Sequence, residues 1–362
     1  MNLPEQIVMQ LLKSGLGAGA TKVSVLMQAD AAAWKATMQL SARQGVLAIT
    51  YDAVQQLPME LMPPKEVLLS WAVNVDRIEQ SYAHRHAVLE KLAAFYAAHN
   101  IPITLLKGAG LASLYPTPSH RPCGDIDIWL HDKQAQADDI LTREMGIAIN
   151  HETHHHTVFT INGVMIENHY DFLNCSSHHS NRELEGDLRR YAQECGSAFT
   201  VGAQTVQLPA PDFNALFLMR HMAVHFAAVE IGLRHIADWA MFLRTDGAKV
   251  NWEAVRAIYK EHHMLRFADA VTALCVEWMG VNPKNIFAYE EDKALQTTIL
   301  NETLSPAFAE KHPKGFLKSI SFKVRRWWAN RWKHPLVYKD SLIGSFFWLC
   351  WAHLTRPKTI TN

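Results

Sequence analysis

The sequence predicts an α+β fold: a small mixed β-sheet core flanked by N-terminal and C-terminal helical regions. Three features lead there. Apolar residues recur at three- and four-residue spacing up to about residue 98 and again after Pro211, the period of helices with one buried face. Between these stretches lie short runs alternating polar with apolar residues, bounded by Gly, Pro and Asn-Gly, as half-buried strands are. At 362 residues the chain also exceeds one ordinary core. The expected organisation is a helical region over 1–98, the sheet core over 99–209, a helical domain over 210–300 and a basic, aromatic helical tail over 301–362.

In the first region, helices are expected from Ala31 to Arg43 and from Lys65 to Asn100. Val67, Leu68, Trp71 and Ala72 form one apolar stripe; Ile78, Tyr82, Val88, Leu89 and Leu92 form another. Such stripes are core. The region has no chemistry of its own and would cover the cleft or touch a substrate. Composition narrows the field further. With 35 basic and 35 acidic residues the net charge is zero, so nothing drives the whole chain toward a long nucleic acid. Cys123, Cys175, Cys195, Cys275 and Cys350 are scattered and form no C-x-x-C, which fits a reducing compartment and no structural zinc. The start, MNLPEQIVMQLLKSGLGAGA, carries Glu5 and lacks a basic region followed by an apolar core, and no apolar run is long enough to span a bilayer. A cytoplasmic protein is expected.

The chemistry concentrates in Leu105 to Leu130, LLKGAGLASLYPTPSHRPCGDIDIWL. Ile103 to Leu106 reads as a short buried strand, Lys107-Gly108 as a turn, and Ala109 to Tyr115 as a short helix. Pro116, Pro118 and Pro122 bar helix between them, and Asp125-Ile126-Asp127-Ile128 alternates as a strand with both carboxylates on one face. Acids at i and i+2 on a strand stand roughly 6–7 Å apart at Cα, close enough to converge on divalent ions. With no thiolate or imidazole expected on that face, the hard oxygens suit Mg²⁺ or Mn²⁺. Backbone N–H groups of the turn and helix start, with Lys107 beside them, would face a phosphate.

LLKG, LYP and R-P-C-GDIDIWL, in this order, resemble a nucleotidyltransferase family of the polymerase-beta-like superfamily. That superfamily's pattern is a glycine turn, a helix, D-h-D or D-h-E on a strand, and a third carboxylate on a later strand. The chain departs from it in having Lys107-Gly108-Ala109 where many members have Gly-Ser or Gly-Gly, and in a longer separation of Gly108 from Asp125. The resemblance runs over residues 100–245. It implies a nucleoside triphosphate, ATP among them, as substrate with Mg²⁺ or Mn²⁺, held by Asp125 and Asp127, and nucleotide contacts from Lys107, Gly108, Arg121 and Gly124.

A helix from Asp132 to Met145 leads to HETHHHTVFTINGVMIENHYDF. His151-Glu152-Thr153-His154-His155 matches H-E-x-x-H, which as a zinc hydrolase site needs a helix. The strand-like Ile147–Ile149 and Thr157–Ile161 around it, and the Asn162-Gly163 hairpin turn, argue against one. His154 to His156, with His178 and His179, are candidates for adventitious metal, and solvated loop histidines are the plainer reading. On the strand after the turn, Met165, Glu167 and His169 share one face, and an acid within an apolar strand calls for a metal or a cation. The resembling family has an acid followed two residues later by His here, so Glu167 is carried over as the third catalytic carboxylate and His169 as a candidate acceptor or base contact.

A last strand is expected over Thr200 to Leu208, then a helix capped by Asp212 and running to about Val229, with Phe213, Leu216, Phe217, Met219 and Phe226 packing and His221 and His225 one turn apart. Leu233-Arg234 and Asp238 form an LR-x-x-x-D element that also resembles the family. Arg234 and Asp238 would pair at i, i+4 or contact base or acceptor. Asn251 to Gly280 continues helical. Lys318 to Lys333, KSISFKVRRWWANRWK, has six basic residues and no acid, followed by SLIGSFFWLCWAHL. Tryptophans against the core with charges in solvent is the plain reading. A peripheral contact through 318–351 with a partner or the inner membrane face is the other.

The resulting expectation is two-metal nucleotidyl transfer to a hydroxyl of a small-molecule, sugar or protein acceptor, with Asp125, Asp127 and Glu167 as metal ligands and Arg121 offsetting phosphate charge. The alternative is a catalytically inactive nucleotide-binding or interaction protein of the same fold; the third reading is the zinc hydrolase through His151, Glu152 and His155.

Overall fold

A computed structural model describes residues 1–347 apart from Ser177, Cys195, 309–312 and 314. Cys350 and the tail from 348 onward therefore lie outside the described residues, as does Cys195. The helices α1 (Leu3–Gly15), α2 (Val23–Leu26), α3 (Ala31–Arg43), α4 (Leu47–Val54) and α5 (Lys65–Ala98) come first. The central part follows as β1 (Thr104–Leu105), α6 (Ala109–Ala112), β2 (Asp125–Trp129), α7 (Gln134–Met145), β3 (His156–Ile161), β4 (Val164–His169), α8 (Asn181–Ala192), β5 (Ala198–Val201) and β6 (Gln204–Gln207). Then come α9 (Pro211–Ala228), α10 (Leu233–Thr245), α11 (Trp252–Glu261), α12 (Leu265–Trp278), α13 (Lys293–Leu304) and α14 (Phe316–Asn330). The α+β class is as the pattern predicts.

The strands form one mixed sheet in the order β3-β4-β2-β1-β6-β5. β2 runs parallel to β4 and antiparallel to β1, while β3–β4 and β5–β6 are hairpins. Alternation then sorts the side chains onto two faces. Ile126, Ile128, Phe159 and Ile166 pack beneath α5 and α7 with Leu89, Leu92, Tyr96 and Leu141. Trp129, on the acidic face, joins Phe172, Phe213 and Phe217 in the larger core built by α8 to α12. A third core gathers α1, α3, α4 and the start of α5 around Trp34 and Trp71. Asp125 and Asp127 thus look toward α9.

Several elements differ from the reading of the sequence. The single strand expected over Thr200–Leu208 is the second half of a hairpin turning at Gly202, whose φ of 58° suits glycine. Ile147–Ile149 makes no strand; only Asn150 bridges to Val158. Asp212 does not cap α9, which starts with Pro211, and its carboxylate instead accepts from the Asn251 N–H at 2.7 Å. The helix after Gly108 spans Ala109–Ala112, too short to carry a macrodipole of consequence. Asn162 and Gly163 do turn the β3–β4 hairpin, with φ of 49° and 79°.

Two ion networks, one buried and one half-buried, hold the loop between Gly108 and Asp125. Arg121 grips Asp238 through Nε at 2.7 Å and Nη2 at 2.8 Å, while Nη1 donates to the Gly108 carbonyl at 3.3 Å. Tyr115 donates to the same Asp238 at 2.7 Å. Burial would raise the Asp238 carboxyl, but Arg121 outweighs it and the group stays ionised. Next to Arg121, His120 meets Asp52 of α4 through Nδ1 at 2.9 Å and Glu79 of α5 through Nε2 at 2.7 Å. Burial works against a charge on His120, yet its hydrogen bonds to the two carboxylates prevail and hold its pKa above the ordinary histidine value.

Arg121→Ala leaves Asp238 buried and unpaired. It should cost about 3–5 kcal/mol in denaturant melts, whereas Arg121→Ala with Asp238→Ala should cost less than the sum of the single changes. Additive losses would show that the pair does not couple. Since folding raises the pKa of His120, its contribution is complete below the unfolded value of about 6.5 and fades as pH rises through the folded one. Thermal melts across this range should show the decline, and His120→Ala should lower stability by about 1–3 kcal/mol near pH 6 and flatten the slope.

Candidate functional site

The parallel register of β2 and β4 sets Asp127 against Glu167 and Trp129 against His169. Neighbouring strands stand about 4.8 Å apart, so side chains on one face meet. His169 Nε2 lies 3.2 Å from Asp127 Oδ1 and 3.6 Å from Glu167 Oε2. Lys107, leaving β1 through the turn, places Nζ 2.9 Å from the same Asp127 oxygen. One ligand atom from each of Asp127, Glu167 and His169 falls within 4.8 Å of the others. Asp125 stands at the margin. It shares a cavity with Lys107, Glu167 and His169, and the Cys123 thiol donates to its backbone carbonyl at 3.0 Å.

Charges here are set against each other. Burial would raise the Asp127 carboxyl, but Lys107 and His169 hold it well below the usual carboxylate range. Burial would lower the Lys107 ammonium, and Asp127 more than restores it. His169 is likewise raised, its hydrogen bonds to Asp127 and Glu167 outweighing burial. Asp125 moves the other way: burial and repulsion from Asp127 push its carboxyl up despite Lys107. One strand therefore carries a firmly ionised acid and, two residues earlier, one that holds a proton more readily.

The acids open into a cavity of about 670 Å³ whose far wall comes from α9 and α14. His221 and His225 on α9 lie one turn apart with ring centroids 4.5 Å from each other, and burial pushes both below the ordinary histidine value. Lys323, Arg326, Trp327 and Arg331 line the same space. A smaller cavity of about 180 Å³ joins Lys107, Gly108, Asp125 and Asp127 to Arg234, His235 and Asp238. Both cavities meet at the carboxylates.

Of the residues singled out from sequence, Lys107, Asp125, Asp127, Glu167 and His169 come together. Gly108 adjoins them with φ 60°, and a Cβ there would stand 3.3 Å from Cys123 Sγ, so glycine is needed at this turn. Gly124 is exposed and a Cβ would meet nothing within 4 Å, so no close approach requires glycine. Arg121 is engaged by Asp238 and the Gly108 carbonyl, which makes it a support of the turn. Arg234 donates to the Pro122 carbonyl at 3.1 Å, and the ion partner of Asp238 is Arg121. H-E-x-x-H lies in a loop with His151 and Glu152 exposed, so the zinc hydrolase geometry is not formed.

Two expectations are corrected outright. His156, expected as a solvated loop histidine, lies buried at the start of β3 on the carboxylate face beside the expected His169, its Nδ1 3.8 Å from Glu167 Oε2. The charges of 318–333 are expected in solvent; Lys323 and Arg326 instead face the cavity, while Arg331 stays exposed at its rim over the Trp328 ring at 4.3 Å, and Trp328 is itself 59% exposed. Arg85 was missed altogether. It lies on α5 beside Cys123 and Asp125 in a narrow crevice, and only its spacing from Tyr82 and Leu89 within a buried stripe could have hinted at this.

A family model described as uncharacterised nucleotidyltransferase matches residues 30–280. A solved structure, that of an antigenic nucleotidyltransferase-like protein from Paracoccidioides brasiliensis, is similar over 52% of this chain and 92% of that one, at 15% identity and a TM-score of 0.32. No curated protein matches. With the match extending over more than half of its residues, the chain belongs to this uncharacterised nucleotidyltransferase family.

Proposed function

We propose that the protein transfers a nucleoside monophosphate from a nucleoside triphosphate to a hydroxyl of a small-molecule, sugar or protein acceptor. The observation that carries this reading is the register that stands Asp127 beside Glu167, with Lys107 at 2.9 Å from Asp127 and with Asp125, Glu167 and Lys107 on the wall of a cavity of about 670 Å³. Asp127 and Glu167, with Asp125 at the margin, are the oxygen donors that would hold Mg²⁺ or Mn²⁺, and they fit in being buried or half-buried and open to the two cavities. Such ions, when bound, lower the pKa of an acceptor hydroxyl and neutralise the pyrophosphate that leaves.

The chain's own groups account for the rest. Glu167 acts as a ligand or, instead, as the general base that takes the hydroxyl proton while the acceptor oxygen bonds to the α-phosphorus and the bond to the β-phosphate bridge breaks. Lys107 offsets the charge of the triphosphate, and His169 fixes the Asp127 carboxylate by hydrogen bonding. Arg326 and Arg331 across the cavity favour an acceptor carrying negative charge. No helix among the described residues is long and apolar enough to cross a membrane. One observation favours the inactive alternative: the Lys107 ammonium already satisfies Asp127, as a retained binding fold would require.

Labelled triphosphate incubated with Mn²⁺ or Mg²⁺ and panels of phosphorylated and neutral hydroxyl compounds or proteins should yield a labelled product. Asp125→Asn with Asp127→Asn should reduce the rate about a thousandfold. Triphosphate binding with no transfer by either protein would establish the inactive alternative. Lys107→Ala should raise KM for the triphosphate about 10–100-fold; an unchanged KM would remove Lys107 from the phosphate site.

A further inference from the structure

Two histidines of the His154-His155-His156 run have no part in the scheme above, yet His155 and His156 line the large cavity beside the carboxylates. His156 is 8% exposed and His169 is 3% exposed. Nδ1 of His155 and Nδ1 of His156 are buried without a hydrogen-bond partner among the described residues. Leaving a buried polar atom unsatisfied costs about 1–3 kcal/mol, so two adjacent ring nitrogens in that condition point to a ligand they are shaped to receive.

The geometry narrows that ligand. Ring centroids stand 4.2 Å apart for His155–His156 and 5.0 Å for His156–His169, and one nitrogen from each of the three rings lies within 4.8 Å of the others. Glu167 Oε2 is 3.8 Å from His156 Nδ1 and 3.6 Å from His169 Nε2. Donors bonded at about 2.1 Å to one ion stand about 3.0–3.4 Å from each other at octahedral to tetrahedral angles, so the two Glu167 distances are already near that spacing and the imidazole rings would draw together around an ion. Imidazoles with one carboxylate suit first-row transition ions, whereas Mg²⁺ prefers oxygen and water.

We propose that His155, His156 and His169, with Glu167 as the shared carboxylate, form a transition-metal position beside the Asp125–Asp127 pair, taking Mn²⁺, Co²⁺, Fe²⁺ or Zn²⁺ in preference to Mg²⁺, with His169 exchanging its Nε2 hydrogen bond to Asp127 for the ion while Nδ1 stays on the Asp171 carbonyl. Glu167 then links a nitrogen-rich position to an oxygen-rich one. The use of the ion in catalysis rests on the nucleotidyl-transfer reading; its binding does not.

The test uses the metal-free full-length chain and the metals alone. Pulsed EPR of bound Mn²⁺ should show nitrogen coupling from imidazole, and Co²⁺ should give visible ligand-field bands that about a hundredfold excess of Mg²⁺ leaves in place. His156→Ala should weaken Co²⁺ binding about 10–100-fold, with circular dichroism checking the fold. The wild-type spectra decide even if that variant fails to fold. Absent nitrogen coupling, displacement of Co²⁺ by equimolar Mg²⁺, or Co²⁺ affinity unchanged in folded His156→Ala would each overturn the proposal. Nitrogen-ligated metal without transfer activity upholds this site and counts against the transferase reading, while transfer without nitrogen coupling does the reverse.

Discussion

Two carboxylates on adjoining strands repel, and burying them together is unfavourable unless a cation shares the space. Here the parallel pairing of β2 with β4 forces that meeting, and Lys107 answers it from 2.9 Å. Much of the architecture serves this arrangement. β1 carries the lysine to the turn, Gly108 lets the chain bend there, and Arg121 ties the Gly108 carbonyl to Asp238 of α10. The loop after β4 is held as firmly: Glu185 of α8 accepts the Phe172 and Leu173 N–H groups at 3.0 and 2.9 Å.

What could be read from the residues is what depends on short-range rules. Alternation in Asp125-Ile126-Asp127-Ile128 gave both acids the same face because a strand has a period of two. Asn162-Gly163 announced its hairpin because both positions require positive φ, which these residues tolerate. Once that hairpin is placed, Glu167 and His169 must share a face. The α+β class, the long helix of the first region and the convergence of Lys107, Asp127 and Glu167 follow from such local arguments, with the family resemblance supplying the third acid.

Other features lay beyond local pattern because they depend on partners far along the chain. Arg234 and Asp238 sit one helical turn apart, which suggests a pair, but Asp238 faces inward where Arg121, 117 positions earlier, reaches it with two nitrogens. His155 and His156 look like polar loop residues until β3 docks at the edge of the sheet and turns them toward the carboxylates. The cations of α14 resemble a solvated face for the same reason: only packing reveals which side of a helix borders a cavity. Arg85 hides within a helix whose other residues are explained by their own core.

The 34 residues of α5 contain neither glycine nor proline. At 1.5 Å per residue they make an unbroken rod about 51 Å long, with Trp71 anchored in one core and Tyr96 in another. Such a strut splints α1 to α4 to the underside of the sheet, leaving little freedom on that flank. Any breathing that admits a bulky guest must therefore come from the opposite flank, where α9 and α14 form the roof.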